Sequence, residues 1–450
     1  MKSRFLKRLR KAPGLISPYT TKITISQFAA CKKAEALTSR LSTWPAAKAE
    51  TFGKLSPQSG RVCDLGFVEE LVEGILDRLP ITRLADITPL DCVGAPVFAA
   101  ISPLASDLTT HLGKGPDRRS ARISAIMEAV ERVAAERIAA PSRCASFEQL
   151  RASGVNVADP LDFDLPPRTA YQANLEFEWV EAWDLYGSRP IWIAADLART
   201  PPKQGILDHV DTNGLAAAAT YAEALRHALL EVIERDAVSQ HQFFDLFGDE
   251  GRVPPHKARI DPDSIPESCK RFVLSATEAG MDVVLEDLTS DLEIPVVGCM
   301  LVDRAFLTEH GPITHVFGGW GADPVTETAL RRAVTEAFQS RVGVIQGARD
   351  TFNGLSATAR PFTLSARRHL LCKAPMVPFS ALRSRAFDDL ESETDYILDR
   401  LGSVGIRQAI AVDMKRDDLG IAVVRVRVPG LSAFVADRHR VGWRCARHLL

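Results

Sequence analysis

Apolar and polar positions change their period several times along the chain, and each change predicts an element. From residue 79 the run LPITRLADITPLDCVGAPVFAAISP carries β-branched residues broken by Pro and Gly, the texture of short strands. Residues 119–140 follow, rich in Ala, Glu and Arg, and are predicted as a helix with the apolar stripe Ile123, Met127, Val130 and Ala134. The alternation returns twice. Strand-like WVEAWDLYGSRPIWIAADL leads to a predicted helix over 221–244, with Leu225, Leu229 and Val232 on its apolar side. IPVVGCMLVD and HVFGGWGADP lead to another over 326–343, and IAVVRVRVPG (421–430) reads as a last strand. Residues 245–275 and 350–385, with scattered Pro, Arg and Asp, read as connections. Interleaved strands and helices predict α/β or α+β layering.

Before residue 79 the texture differs. Lys2, Arg4, Lys7, Arg8, Arg10 and Lys11 crowd the start, and a helix is expected around 68–78. Residues 1–79 are therefore expected to be a basic tail with a helical extension, and 80–450 the main domain. The tail is either solvated or a contact surface for an acidic partner.

Composition narrows the function. The 450 residues are 46% hydrophobic and 25% charged, which is globular, and 55 Lys+Arg against 57 Asp+Glu leave a net charge of −2. That balance offers no global field for nucleic acid or an anionic membrane. No run approaches the ~18 apolar residues of a membrane span. The eight cysteines (31, 63, 92, 144, 269, 299, 372, 445) form no CxxC pair and none stands at metal spacing from a His. With no secretory signal at the start, a reducing cytoplasm is expected.

The predicted helices share an acidic signature. The first carries Ser124, Glu128, Glu131 and Arg132; the second His227, Glu231, Glu234, Arg235 and Asp236; the third Arg332, Glu336, Gln339 and Arg341. Three-residue spacing puts both members of each Glu-x-x-Glu or Glu-x-x-Gln pair on one helix face. On the second helix Glu223, His227, Glu231 and Glu234 share a stripe opposite the apolar one. One reading is a set of amphipathic helices with solvated acidic sides. The other follows from the recurrence: Mg2+ takes carboxylates together with phosphate oxygens, and neighbouring arginines grip phosphates as planar forks. A nucleotide site between helices is then the expectation.

Neither common phosphate cradle is present, since Gly113-Lys114-Gly115 is no P-loop and no GxGxxG follows a strand. Asn213-Gly214 and Gly318-Gly319 read as tight turns before helices. No GxSxG, HExxH or Cys–His arrangement appears, so covalent catalysis by the protein is not indicated and no catalytic residue is assigned.

GKGPDRRSARISAIMEAVER, TNGLAAAATYAEALRHALLEVIERDA and GGWGADPVTETALRRAVTEAFQSRVGVIQGARD resemble the three characteristic blocks of the YcaO family. LPITRLADITPLDCVGAPVFAAISP is similar to that domain's entry, and VVRVRVPGLS to its late strand. The resemblance implies a YcaO-like fold and an enzyme that uses ATP and Mg2+ to phosphorylate a peptide-bond oxygen. It implies metal binding by Glu128, Glu131, Glu231, Glu234 and Glu336. It implies nucleotide contacts from Lys114, Ser124, Arg132, Asn213, Glu223, Arg235, Gln339 and Arg341. Ala217-Ala218-Ala219 departs from the family, whose members often have a glycine there.

The expected partners are a peptide or protein substrate and a TfuA-like or ThiF-like protein, with a homodimer also compatible. Azoline-forming members often end in a Pro-rich tail, whereas this sequence ends VGWRCARHLL. Thioamidation is therefore favoured over cyclodehydration. The alternatives are an accessory factor for ribosomal protein methylthiolation, a non-catalytic nucleotide-binding scaffold presenting a peptide, and a helical interaction protein.

Overall fold

Three helices that each begin directly after a strand organise this fold. A computed structural model describes residues 39–47, 54–55, 61–249, 251–304, 316–348, 371 and 375–450. The basic run at residues 2–11 lies outside the described residues.

α1 (Leu65–Glu73) precedes a small antiparallel sheet of β1 (Arg83–Asp86), β2 (Val97–Ile101) and β3 (Thr110–Lys114). β3 runs through Gly115-Pro116 into α2 (Arg118–Ala135), whose N-cap Asp117 accepts a hydrogen bond from Ser120 N at 2.8 Å. A six-stranded sheet has the order β4 (Ser142–Ser146), β5 (Glu176–Asp184), β13 (Ile410–Asp413), β14 (Ala422–Arg427), β7 (Leu215–Ala218), with β6 (Arg189–Ala194) also on β5. β7 leads into α3 (Tyr221–Phe247), capped by Thr220. The remaining sheet runs β11 (Val316–Ala322), β10 (Val296–Asp303), β9 (Met281–Asp287), β8 (Ala258–Ile260), β12 (Met376–Val377). α4 (Glu267–Glu278) packs on it, and α5 (Thr326–Gln346) follows β11 through Asp323-Pro324. α6 (Leu390–Ser403) packs against α3.

The six-stranded sheet separates two cores. Alternate residues point to opposite faces, so Ile410, Val412 and Val423 join Ile123, Ile126, Val130 and Ala134 of α2 on one side. Ala411, Val424 and Val426 join Leu225, Leu229 and Ile233 of α3 and Ile397 of α6 on the other. The 41–79 stretch enters both: Leu41 and Trp44 pack with the α3 side, Val68, Val72 and Leu79 with the α2 side.

Several sequence expectations are corrected. The expected 68–78 helix begins at Leu65, capped by Asp64, and stops at Gly74 before a separate 3-10 turn. The 119–140 helix stops at Ala135, whose carbonyl accepts from Thr200 N at 2.9 Å; residues 136–141 form a turn and connection where helix was expected, and β4 begins after them. Residues 245–275 are not only connection, because β8 and the start of α4 lie there. Of 350–385, residues 350–370 and 372–374 lie outside the described residues, and β12 forms in the remainder.

Gly318-Gly319 is no turn but part of β11. A Cβ on Gly319 would lie 2.2 Å from Ala337 N and 2.3 Å from Ala333 O, and one on Gly113 would lie 2.0 Å from Ala125 N. Helix backbone thus rests directly on strand backbone at two of the three strand–helix joints. Gly214 does serve as a turn, with φ +72°. Gly319→Ala is expected to lower stability by about 3 kcal/mol, because the clash is with backbone that no rotamer can move aside. A lowered urea-unfolding midpoint against wild type checks this.

Candidate functional site

The strand–helix joints bring the acidic faces of α2, α3 and α5 together. α3 is buried nearly all round, so the stripe opposite Leu225, Leu229 and Val232 faces protein, with Glu234 only 2% exposed. The solvated-face reading is thereby overturned for Glu234, and Glu128, Glu131, Glu231 and Glu336 are all at least half-buried.

Mutual electrostatics shows which carboxylates are neighbours. Burial pushes the Glu131 carboxyl up to about 8, with Glu128 of its own helix and Glu231 of α3 pushing the same way. Ala217 N, donating to Glu131 Oε1 at 2.9 Å, and Arg132 oppose that shift without cancelling it. Glu231 is likewise raised to about 7 by burial, against Arg235, with Glu234 adding repulsion. Glu234 is raised by burial and by Glu336 across from it on α5, and accepts a hydrogen bond from Ala322 N at 3.2 Å. For Glu336 burial is more than offset by Lys114, which donates to its Oε2, and by Arg235, so this carboxyl lies below its usual range.

Cations form a second layer. Arg235 lies 3.9 Å from both Glu231 and Glu234. Arg132 reaches Asp107 and, at 3.7 Å, Glu128. Arg332 Nη2 lies 3.4 Å from His227 Nε2. Burial, with Arg332, Arg61 and Arg226 nearby, holds His227 well below the ordinary imidazole range, so the ring is neutral at pH 7.

The other expected residues take distinct places. Asn213 donates its N–H to Asp211 Oδ1 at 2.9 Å and its carbonyl accepts from Arg425 Nη1 at 3.1 Å. Its own side-chain oxygen is buried without a hydrogen-bond partner among the described residues. Ser124 is half-buried one turn before Glu128. Glu223 holds the 62–63 segment, accepting from Val62 N at 2.7 Å and Cys63 N at 3.1 Å. Gln339 Nε2 donates to Leu112 O at 2.8 Å, tying α5 to β3 beside Lys114. Arg341 is committed to Asp91 at 3.0 Å and Asp303 at 3.4 Å.

Sequence reasoning missed Asp107, Arg61, Arg425, Arg427 and Asp211. Arg425 and Arg427 lie in β14 on the α2 side of the sheet and are buried. Arg427 and Arg440 donate to Asp211 Oδ2 at 2.8 and 2.6 Å, and although burial opposes it they hold that carboxyl well below the usual range. The only available signal was charge placed in the alternating strand V-R-V-R-V, which by itself reads as a half-solvated strand.

The Glu131 and Glu231 carboxyls, raised toward neutrality, and the unsatisfied Asn213 amide oxygen are oxygen donors of the type hard divalent cations take. The residues present fit Mg2+ with phosphate oxygens. The surrounding arginines and Lys114 fit the phosphates.

A family profile described as YcaO cyclodehydratase, ATP- and Mg2+-binding, matches residues 112–432. The chain is 32% identical over 376 residues to a Rhizobium leguminosarum bv. trifolii protein described as lying in the tfuA 3′ region, covering 80% of this chain and 85% of the relative. Its fold is similar to that of YcaO from Methanopyrus kandleri bound with AMPPCP and Mg2+, with TM-score 0.68, 26% identity, 87% of this chain and 98% of that one. It is also similar to a heterocyclase in complex with substrate and cofactor, with TM-score 0.70, 20% identity and 88% of this chain. The present chain spans 56% of that heterocyclase's length. With the profile spanning more than half of its residues, this chain belongs to the YcaO family.

Proposed function

We propose that this protein uses ATP and Mg2+ to activate backbone amides of a peptide by phosphorylating the carbonyl oxygen, with sulfur replacing that oxygen in the product. ATP supplies the phosphoryl group that makes the amide oxygen a leaving group; sulfide adds at carbon and phosphate departs. The observation that carries the reading is the approach of Glu128, Glu131, Glu231, Glu234 and Glu336, from three helices and at least half-buried, close enough for neighbouring carboxyls to perturb one another. Family membership supports ATP-dependent amide activation in general. The relative described as lying in the tfuA 3′ region supports a TfuA-like partner, and thioamide rather than azoline formation is our reading of that association. No disulfide joins the described cysteines, which is compatible with a cytoplasmic setting.

In this reading Glu128, Glu131, Glu231 and Glu234 hold Mg2+, with the Asn213 amide oxygen completing the oxygen set. Lys114, Arg132 and Arg235 neutralise phosphate charge, while Ser124 stands at the start of the same face. Glu336 sets the position of Lys114. Glu223, Gln339 and Arg341 act at one remove, by fixing the 62–63 segment, β3 and the Asp91 loop. The protein contributes position and charge, and the amide needs no protein nucleophile.

Glu131→Gln and Glu231→Gln are each expected to weaken Mg-ATP binding by at least about tenfold, or about 1.4 kcal/mol. Wild-type affinity in both variants by calorimetric titration defeats the assignment.

Proton linkage gives a second check. With their carboxyls raised to about 8 and about 7, Glu131 is mostly and Glu231 about half protonated at pH 7, and cation binding needs both ionised. Mg-ATP binding should therefore release protons, with release declining and affinity rising as the pH passes through these values. Calorimetry in buffers of different ionisation enthalpy reads it directly; proton uptake contradicts it.

The reaction itself is tested with a co-expressed peptide encoded beside the gene and a sulfide source. Phosphate release should depend on the peptide, and mass spectrometry should show sulfur exchanged for oxygen. Loss of one water instead identifies azoline formation, and peptide-independent behaviour identifies a scaffold.

A further inference from the structure

We propose that His209, Asp437 and His439 form a binding site for one divalent transition ion of the Zn2+ type, separate from the carboxylate cluster. One ligand atom from each lies within 4.8 Å of the other two. Asp437 is buried, and its Oδ1 accepts from His439 N at 2.9 Å and faces His439 Nδ1 at 3.1 Å. The His209 and His439 rings are 6.3 Å apart between centroids and inclined by 37°. Tetrahedral Zn2+ with ligands at about 2.0–2.1 Å sets ligand atoms about 3.3 Å from one another. The Asp437–His439 pair already has that separation. His209, on an exposed loop position, brings a ring nitrogen within 4.8 Å of ligand atoms of both others.

The backbone that carries these ligands is fixed from beneath. His439 adjoins Arg440, whose Nη1 donates to Asp211 Oδ2 at 2.6 Å, Nε to Asp164 O at 3.0 Å and Nη2 to Phe163 O at 2.8 Å. His209 lies two residues before that same Asp211. A buried ion pair thus clamps two segments distant in sequence, and their exposed ends present the imidazoles side by side. The 433–440 turn is closed by Asp437 N to Ala433 O at 3.0 Å and Arg440 N to Asp437 O at 2.9 Å.

Donor chemistry sets the ion class. Two imidazoles and one carboxylate suit Zn2+, Ni2+ or Fe2+, whereas Mg2+ prefers an all-oxygen shell. Of the adjacent charges, Asp208 is favourable, Arg438 is exposed between the ligands, and the Arg440 guanidinium is committed to Asp211. Three protein ligands leave a further position for water or a small anion. Because Asp211 also accepts from Asn213 N at 2.9 Å, a bound ion would stiffen the loop that carries Asn213.

The test uses the full, tag-free chain stripped of metal and titrated with Zn2+ and Co2+. Wild type should bind close to one equivalent of Zn2+. His209→Ala and His439→Ala should each weaken binding by at least roughly tenfold. His256→Ala, at an exposed histidine beside Asp287, should not. The Co2+ complex should show visible bands without thiolate-to-metal absorption, and Zn2+ should raise the melting temperature of wild type more than that of either ligand variant. Equal binding in wild type and the double variant, no binding by wild type, or a thiolate band that places the ion at cysteines overturns the proposal. Matching melting curves of the metal-free proteins exclude misfolding as the cause of lost binding.

Discussion

Bringing five glutamates from three helices together, Glu234 buried and the others at least half-buried, is the constraint around which this molecule is arranged. Like charges removed from water are costly unless something offsets them. The protein offsets them only in part. Lys114, Arg235, Arg132, Arg332 and Arg425 surround the carboxylates, yet Glu131 and Glu231 remain shifted to about 8 and about 7. Where the counter-charge is closest, at Glu336 beside Lys114, the shift reverses. In the function proposed above, a divalent cation supplies the positive charge that the side chains withhold.

The fold serves that cluster through a repeated device. β3–α2, β7–α3 and β11–α5 are each a strand that turns at once into a helix, so the first turns of the helices start from sheet edges of fixed position. Gly113 and Gly319 let α2 and α5 settle backbone to backbone on their strands. Lateral freedom of the helices is lost, and the glutamates gain a set register. Behind them, Arg425, Arg427 and Arg440 gather on Asp211 and on carbonyls of the 197–213 loop, so Asn213 is held by a buried ionic network and not by loop packing alone.

The expected site residues fall into two groups. Glu128, Glu131, Glu231, Glu234, Glu336, Lys114, Arg132 and Arg235 act on one another electrostatically. Glu223, Gln339 and Arg341 share the same helices but are spent on backbone amides, a strand carbonyl and Asp91. Periodicity alone does not separate the groups, because helix spacing fixes a face and says nothing of what stands opposite it.

Local chemistry was legible in the sequence. Spacing of three put Glu128 with Glu131 and Glu231 with Glu234 on common faces, and apolar periods placed the three helices to within a few residues. Convergence was not legible from periodicity, and neither were the burial of Arg425 and Arg427, the strand role of Gly318-Gly319, β8 and α4 within 245–275, or the pairing of Asp211 with Arg440. Each of these depends on partners far along the chain. A helix face is set by bonds four residues apart, so sequence determines it; the dielectric around a carboxylate and the charge facing it are set only when remote strands and helices close over it.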